Sequence, residues 1–277
     1  TTTDLGRPSA NMYMIKGKDQ HICEQCKRPS CLHPTVCKNL NTDHSHLLHL
    51  YNQVRKDTRV KHCFVGSGIR YDLSMHRTGN KEIDAINREY LETVIRHHVS
   101  GRFKVAPEHT SDKVLHLMRK PSFKLFRELT ARFNAINNKE HLKQQIIPYF
   151  ISSHPGCSLE DMVDLAINTK ELDFKLEQVQ DFTPTPMTLS TEIYYTGIHP
   201  YTGEKVFTAR KPEEKLNHRK YFCWYLPAKR NDIQNSLKRM HRNDLEEKLY
   251  GNTPWRKPAR IVGETKSRQK KKKPNNK

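Results

Sequence analysis

The chain has 277 residues, of which 35% are hydrophobic and 29% charged, and its mean hydropathy is −0.87. This length fits one large domain or one domain with an appendage, and no run of about 18 apolar residues marks a membrane span. Apolar blocks recur along most of the chain, which excludes a collagen-like or wholly disordered protein. The sequence opens on TTTDLG without a signal-type segment, so we expect it to be an interior part of a longer polypeptide.

The net charge of +19 is concentrated near the C-terminus. Residues 1–204 hold 27 basic and 23 acidic residues, and residues 205–250 hold 12 and 6. Residues 251–277 hold 10 basic residues and one acidic residue. The body of the protein is therefore nearly neutral, and the charge indicates a basic appendage rather than a nucleic-acid-binding surface over the whole domain.

A cysteine-rich segment lies near the start of the chain, and we expect residues 20–45 to form an insertion in the fold. It holds four of the seven cysteines, Cys23, Cys26, Cys31 and Cys37. The odd total and the missing secretory signal favour a reducing compartment, and we expect a cytoplasmic protein whose clustered thiols bind metal. Thiolates select zinc or an iron–sulfur cluster, and the spacing leaves both open, with reduced structural thiols as the alternative.

Strand-like runs then alternate with helical patterns. The strands are expected over residues 61–68, 101–110, 144–156 and 174–186, and the helices over residues 80–99, 111–137 (interrupted at Pro121) and 158–172. Ser158 and Asp161 form a capping-box pattern at the start of the last helix. Repeated strand–helix units predict an α/β fold with parallel strands, whose chemistry collects in the loops after the strands. Four strands are too few to close a barrel of six or eight.

The pattern changes after Pro186. Residues 190–215 look irregular, and residues 215–227 and 230–251 read as helices. The aromatic residues of the first of these helices are expected to pack the helices onto the α/β body. Residues 253–277 are rich in Lys, Pro and Asn and are expected to be a disordered basic tail. We therefore divide the chain into residues 1–190, residues 191–252 and this tail.

The strand-end loops carry a specific resemblance. FKVAPEHTSDKVLHLMRKP, IIPYFISSHPGCSLEDM and LEQVQDFTPTPMTLST resemble the second half of a radical SAM barrel of the methylthiotransferase-like branch. DLGRPSANMY, CKRPSCLHPTVCKNLNTDHS and SGIRYDL narrow the resemblance to the uncharacterised YgiQ-type radical SAM proteins. It covers residues 1 to about 250. The resemblance implies the second half of a partial (β/α) barrel, with a helical basic extension.

The resemblance also implies an enzyme that binds S-adenosylmethionine and a [4Fe–4S] cluster and performs 5′-deoxyadenosyl-radical chemistry. Asp4 and Asn11 match the family's region facing the methionyl group of the cofactor, and Glu108 and His109 match a strand-end position near the same cofactor. The Ser153–His154 loop belongs to this cofactor-binding set, as does Arg70. Two departures stand out. The Cys-x3-Cys-x2-Cys triplet that holds the cluster is missing, so we expect it upstream of Thr1, and Arg7 stands where the family usually has Gly.

Each of these residues also has a simpler interpretation. Glu108 and His109 could belong to a turn that caps the following helix, and His154 could be a buried structural histidine. Arg70 could form an ion pair with Asp72.

The sequence thus predicts the C-terminal portion of a radical SAM enzyme that would be inactive alone. Its partners would be a reductant such as flavodoxin or ferredoxin and an unknown substrate, for which RNA is a candidate. The rival hypothesis is a non-catalytic module that binds nucleic acid or protein and has a structural metal loop. A methylthio-group transferase, with an auxiliary cluster in the cysteine segment, is a further alternative.

Overall fold

A computed structural model describes residues 1–3 and 11–251 of the protein. It contains two sets of parallel strands. The short strands β1 (Thr2–Thr3) and β2 (Cys63–Phe64) pair with each other. A three-stranded parallel sheet has the order β3-β4-β5 and consists of β3 (Arg102–Glu108), β4 (Gln145–Ser152) and β5 (Gln178–Asp181). The expected α/β class with parallel strands is confirmed.

Helices connect the strands, as parallel pairing requires. Before β3 the chain forms α1 (Gln20–Glu24), α2 (Ser45–Lys56), α3 (Tyr71–Ser74) and α4 (Lys81–His97). The crossover from β3 to β4 contains α5 (Asp112–Leu117) and α6 (Phe123–Lys139), and α7 (Leu159–Glu171) joins β4 to β5. The predicted interruption at Pro121 is confirmed. The capping box is also confirmed, since Ser158 and Asp161 bond each other's backbone N–H groups at the start of α7.

One face of the three-stranded sheet is apolar and covered by α6. Phe103 of β3 stacks on Phe133 with ring centroids 5.6 Å apart, and Phe150 of β4 lies 6.4 Å from Phe123. The residues between these aromatic positions point the other way, because side chains alternate along a strand. Arg102 and Lys104 are accordingly exposed. The sheet thus presents a polar face opposite its core face.

The C-terminal extension consists of α8 (Leu189–Thr196), α9 (Pro212–Arg219), a 3₁₀ turn (Lys220–Cys223), α10 (Pro227–Arg239) and α11 (Asn243–Tyr250). Its aromatic residues pack against α7, as predicted. Trp224 is 8% exposed and its indole Nε1 donates to Thr169 Oγ1 at 3.1 Å. The hydroxyl of Tyr250 in turn donates to the carbonyl oxygen of Trp224 at 3.2 Å. Aromatic burial therefore attaches the extension to the α/β body.

Several predicted element limits are wrong. Residues 189–196 are helical rather than irregular, because Thr188 caps α8 through the N–H of Thr191 and Gly197 ends it with a φ of +72°. The helix predicted over residues 230–251 is divided into α10 and α11 around His241, whose φ of +55° lies in the left-handed region. Of the strand predicted over residues 61–68, the described part of the structure contains β2, which pairs with Thr2–Thr3. The predicted tail lies outside the described residues. None of the helices described within residues 11–251 is long and apolar enough to cross a membrane.

Candidate functional site

A cavity of about 250 Å³ lies on the polar face of the sheet, where the loop after β2 approaches β3. Gly68 allows this approach, since a Cβ atom there would lie 3.1 Å from the carbonyl oxygen of Lys104. The charged residues of the lining are Arg70, Asp72, Lys104 and Lys120, and Tyr149 and Gln178 close the side formed by β4 and β5. The cavity thus brings together parts of the chain more than 100 residues apart.

Asn11 fixes the loop that carries Arg70. Its side chain is fully buried, and its Oδ1 accepts from the backbone N–H of Arg70 at 2.7 Å. Its Nδ2 donates to the carbonyl oxygen of Arg70 at 2.9 Å and lies 3.1 Å from His44 Nε2. All hydrogen-bonding atoms of the amide are therefore engaged within the protein. Asn11 therefore positions the cavity wall. Asp4, which was expected with Asn11 to face the methionyl group of the cofactor, lies outside the described residues.

Arg70 forms the ion pair with Asp72 that the simpler interpretation offered, but the pair is half-buried at the cavity. Arg70 Nη2 lies 2.5 Å from Asp72 Oδ2, and the two side chains are 26% and 13% exposed. This bidentate pair holds the guanidinium group in one orientation. The remaining guanidinium N–H groups can donate to an anionic or carbonyl ligand in the cavity.

Glu108 ends β3 in a left-handed backbone conformation, with a φ of +69°. Its Oε1 lies 3.0 Å from Lys120 Nζ. Its Oε2 is buried and has no hydrogen-bond partner among the described residues. Burial, and then the negative charge of Glu108, raise the pKa of Tyr149 in the cavity wall. A buried carboxylate oxygen without a donor is costly, so this oxygen is the natural acceptor for a hydroxyl group of a ligand.

The neighbouring His109 lies in a different environment. It is fully buried, its Nδ1 accepts from the backbone N–H of Ser111 at 3.0 Å, and its Nε2 lies 3.5 Å from Cys157 Sγ. Burial lowers the pKa of His109 to about 3 and raises the pKa of Cys157 to about 12. Both groups are therefore neutral near pH 7. The turn that contains His109 leads into α5, which begins after Ser111, so the helix-capping interpretation describes this residue better than contact with a ligand.

Ser153 and His154 follow β4 and are also buried. Ser153 has a φ of +58°, and its Oγ lies 3.2 Å from His218 Nδ1. His154 Nδ1 lies 2.8 Å from the carbonyl oxygen of Pro155, and its Nε2 lies 2.9 Å from Ser190 Oγ. Burial lowers the pKa of His154 to about 4. These hydrogen bonds connect the loop after β4 to the extension.

The expected cofactor-binding residues therefore form two groups. Arg70 lines the cavity, Glu108 lies next to it through its ion pair with Lys120 of the lining, and Asn11 supports the cavity wall. His109, Ser153 and His154 form a buried polar layer between the strand ends and the extension. Lys104 and Lys120 of the cavity are not predicted from the sequence. The alternation in RFKVAPE contained a signal for Lys104, since it places Lys104 and Glu108 on the face of β3 opposite Phe103 and Val105.

The four cysteines of the expected metal site lie in a separate segment beside α5. Cys26 and Cys31 are exposed, and Cys23 and Cys37 are half-buried. The segment contacts α5 through the rings of His33 and His116, 4.7 Å apart, and through the chain just after α5, where Arg119 donates to the carbonyl oxygen of Pro29 at 3.1 Å. Within the described residues, no three Cys, His, Asp or Glu side chains are gathered in a group that could hold a metal ion.

The chain is similar to proteins named UPF0313 protein. The relative from Bacteroides thetaiotaomicron is 57% identical over 249 residues, which is 90% of this chain and 40% of that protein. The Porphyromonas gingivalis relative is 56% identical over 251 residues, covering 91% and 40% of the two chains. The Methanocella arvoryzae relative is 42% identical over 260 residues, covering 94% and 41%. The chain thus spans about 40% of the length of these curated relatives.

A family model described as a domain of unknown function (DUF3362) matches residues 177–276. The matched region starts one residue before β5 and includes the whole extension that is packed on α7. The last strand of the sheet and the extension therefore recur together in other proteins.

Proposed function

We propose that this chain is part of a radical SAM enzyme and that its strand ends form one wall of the S-adenosylmethionine site. The observation that carries the proposal is the Glu108 carboxylate at the end of β3. One of its oxygens is paired with Lys120, and the other is buried without a donor among the described residues. A ribose diol supplies hydroxyl donors for such an oxygen.

The cavity beside Glu108 suits the polar end of the same ligand. The methionyl part of S-adenosylmethionine carries a carboxylate and an amino group. In the cavity, Arg70 and Lys120 could bind the carboxylate, and Asp72 could bind the amino group. Its volume of about 250 Å³ is just below the roughly 300–1,000 Å³ of typical ligand pockets. The cavity would therefore hold part of the ligand, with the remainder covered by other segments of the enzyme.

The residues of this chain fit S-adenosylmethionine but not the [4Fe–4S] cluster of radical SAM enzymes. No Cys-x3-Cys-x2-Cys spacing occurs in the 277 residues. In this proposal the ligands of the cluster and the remaining strands of a (β/α) barrel belong to sequence outside the chain. The matched relatives are long enough for such a segment, since the chain spans about 40% of them.

The residues of this chain bind and orient the cofactor in the proposed mechanism. When bound, S-adenosylmethionine is the source of a 5′-deoxyadenosyl radical for hydrogen abstraction from a substrate. Glu108 would fix the ribose and Arg70 the carboxylate, while the ion pairs with Lys120 and Asp72 keep both side chains in place. The neutral buried layer around His109 and Ser153 would support the loops without adding charge near the radical.

The partners expected from the sequence belong to the same proposal. A one-electron donor such as flavodoxin or ferredoxin would serve the cluster in the cytoplasm. RNA is the first candidate for the substrate, because the C-terminal residues 251–277 carry 10 basic residues and one acidic residue.

The test is the formation of 5′-deoxyadenosine. The complete product of the gene that encodes this chain is purified anaerobically, reconstituted with iron and sulfide, and incubated with S-adenosylmethionine and dithionite. We expect 5′-deoxyadenosine in this sample and none when the reconstitution is omitted. A reconstituted protein that neither cleaves nor binds S-adenosylmethionine would favour the rival, a non-catalytic binding module.

A further inference from the structure

The cysteine lobe, which we define as residues 12–41, has a defined fold but no core. Not one of its side chains, all of them described, is buried. Its one helix, α1, has five residues, none of them buried. The next buried residues on either side are Asn11 and Thr42. Burial of apolar surface, the main force that folds a domain, is therefore nearly missing here.

Hydrogen bonds close the base of the lobe. The backbone N–H of Lys18 donates to the carbonyl oxygen of Asn39 at 2.7 Å, and that of Asn41 donates to the carbonyl oxygen of Lys16 at 2.8 Å. These bonds are exposed to water and contribute only about 1 kcal/mol each. A segment of this size without a core usually depends on a disulfide or a structural metal. Cys23, Cys26, Cys31 and Cys37, the cysteines of the lobe, form no disulfide in the described structure.

Two of the sulfur atoms accept hydrogen bonds within the lobe. The backbone N–H of Arg28 donates to Cys26 Sγ at 3.4 Å, and Asn39 Nδ2 donates to Cys23 Sγ at 3.2 Å. A Cβ atom at Gly17 would lie 2.3 Å from Cys23 Sγ, so this sulfur sits against bare backbone. The lobe thus makes room for the sulfur atom and supplies donors to it.

The spacing of the thiols also suits ligation. Cys23 and Cys26 form a Cys-x2-Cys turn, closed by a bond of 3.2 Å from the N–H of Cys26 to the carbonyl oxygen of Cys23. Cys31 and Cys37 form a second loop, closed by a bond of 2.7 Å from the N–H of Cys37 to the carbonyl oxygen of Cys31. The first loop has the Cys-x2-Cys spacing of tetrathiolate metal sites, and the second, Cys-x5-Cys, is one residue wider than their usual range.

We propose that Cys23, Cys26, Cys31 and Cys37 together bind one metal centre, which replaces the missing core of the lobe. Each thiol loses its proton to solvent when its sulfur binds the metal. The four sulfur atoms are not gathered in the described structure, so binding draws the two loops together and couples ligation to the folding of the lobe. Zn²⁺ and an iron–sulfur cluster both accept four thiolates, and the experiment distinguishes them.

This site is independent of the S-adenosylmethionine site proposed above. Its residues do not line the cavity, and its role is structural. The lobe contacts α5 and Arg119, next to Lys120 of the cavity, so the metal would also fix the position of the lobe beside the loop after β3.

The experiment measures metal, sulfide and protease resistance. The protein is reconstituted anaerobically, once with Zn²⁺ and once with iron and sulfide, and is then desalted. We expect either about one zinc or about four iron and four sulfide per chain, and tenfold slower tryptic cleavage after Lys27 and Lys38 than in the metal-free protein. Retention of zinc identifies a zinc site, and retention of iron with sulfide identifies a cluster.

The variants Cys26→Ser and Cys31→Ser remove exposed thiols that the fold does not otherwise need. Both should lose the metal and its protection of the lobe. Cys223→Ser, which removes a half-buried thiol of the extension, should retain both. The proposal is overturned if neither metal is retained stoichiometrically, or if the metal persists unchanged in Cys26→Ser and Cys31→Ser.

Discussion

Glu108 and Lys120 are joined by an ion pair of 3.0 Å that spans the whole of α5. Glu108 is the last residue of β3, and Lys120 follows the left-handed residue Arg119 after the helix. The two side chains are 12% and 31% exposed, so the pair is partly shielded from water. It ties the end of the strand to the wall of the cavity.

Lys120→Met should destabilise the protein by about 1 kcal/mol, because it leaves a mostly buried carboxylate without its cation. The matched control is Lys113→Met. Lys113 Nζ lies 3.7 Å from Asp161, but the Lys113 side chain is 66% exposed. We therefore expect Lys113→Met to change the free energy of unfolding by no more than about 0.5 kcal/mol. Urea unfolding measures both. Equal losses of unfolding free energy in Lys120→Met and Lys113→Met would show that the ion pair of Glu108 stabilises the protein no more than an exposed pair does.

Gly156 and Gly203 provide a test of crowding at the loop after β4. Both have a positive φ, +83° and +72°. A Cβ atom at Gly156 would lie 2.2 Å from Leu117 Cδ1, whereas one at Gly203 would meet no described atom within 4 Å. Gly203→Ala should therefore cost only the backbone strain, about 1 kcal/mol. Gly156→Ala should cost about 1–3 kcal/mol more, and thermal unfolding of the two variants should reveal the difference. A smaller loss for Gly156→Ala would mean that Leu117 can move aside.

The buried histidines predict a loss of stability in mild acid. Burial lowers the pKa of His109 to about 3 and that of His154 to about 4, whereas each has an ordinary pKa near 6.5 in the unfolded chain. Below pH 6.5 the unfolded chain therefore binds more protons, and stability falls as the pH falls towards the folded values. Between pH 7 and pH 5 the loss should be about 2 kcal/mol for each histidine.

Urea unfolding over this pH range provides the measurement. His154→Asn should reduce the loss between pH 7 and pH 5, even if it lowers stability at pH 7. His49→Gln, which changes an exposed histidine, should leave the pH dependence unchanged. A pH dependence that is the same in His154→Asn and in the native sequence would contradict the assignment.

The sequence predicts the elements whose signals are local. The apolar spacing of α4 and α6 and the capping box of α7 are visible in short windows, and the structure contains all three. The parallel sheet follows from the alternation of strands and helices. The strand predicted over residues 61–68 contains β2, but the approach of Gly68 to Lys104 depends on a residue far along the sequence and has no local signal.

The candidate site could be predicted only in part for the same reason. Glu108 and Arg70 were identified from strand-end motifs, but Lys104 and Lys120 reach the cavity through tertiary packing. His109 adjoins Glu108 in sequence and yet faces Cys157 in the interior. Neighbouring residues at a strand end point to opposite sides, so a motif alone does not distinguish a ligand contact from a core contact.

The affinity of the protein for S-adenosylmethionine tests the proposed role of Glu108 most directly. The measurement is equilibrium dialysis of the complete gene product against labelled S-adenosylmethionine, for the native sequence, Glu108→Gln and the control Glu89→Gln, which changes an exposed residue of α4. A hydroxyl bonded to a carboxylate contributes about 1.5–3 kcal/mol. We therefore expect Glu108→Gln to weaken binding about tenfold or more and Glu89→Gln to leave it unchanged. Unchanged affinity in Glu108→Gln would contradict the proposed site.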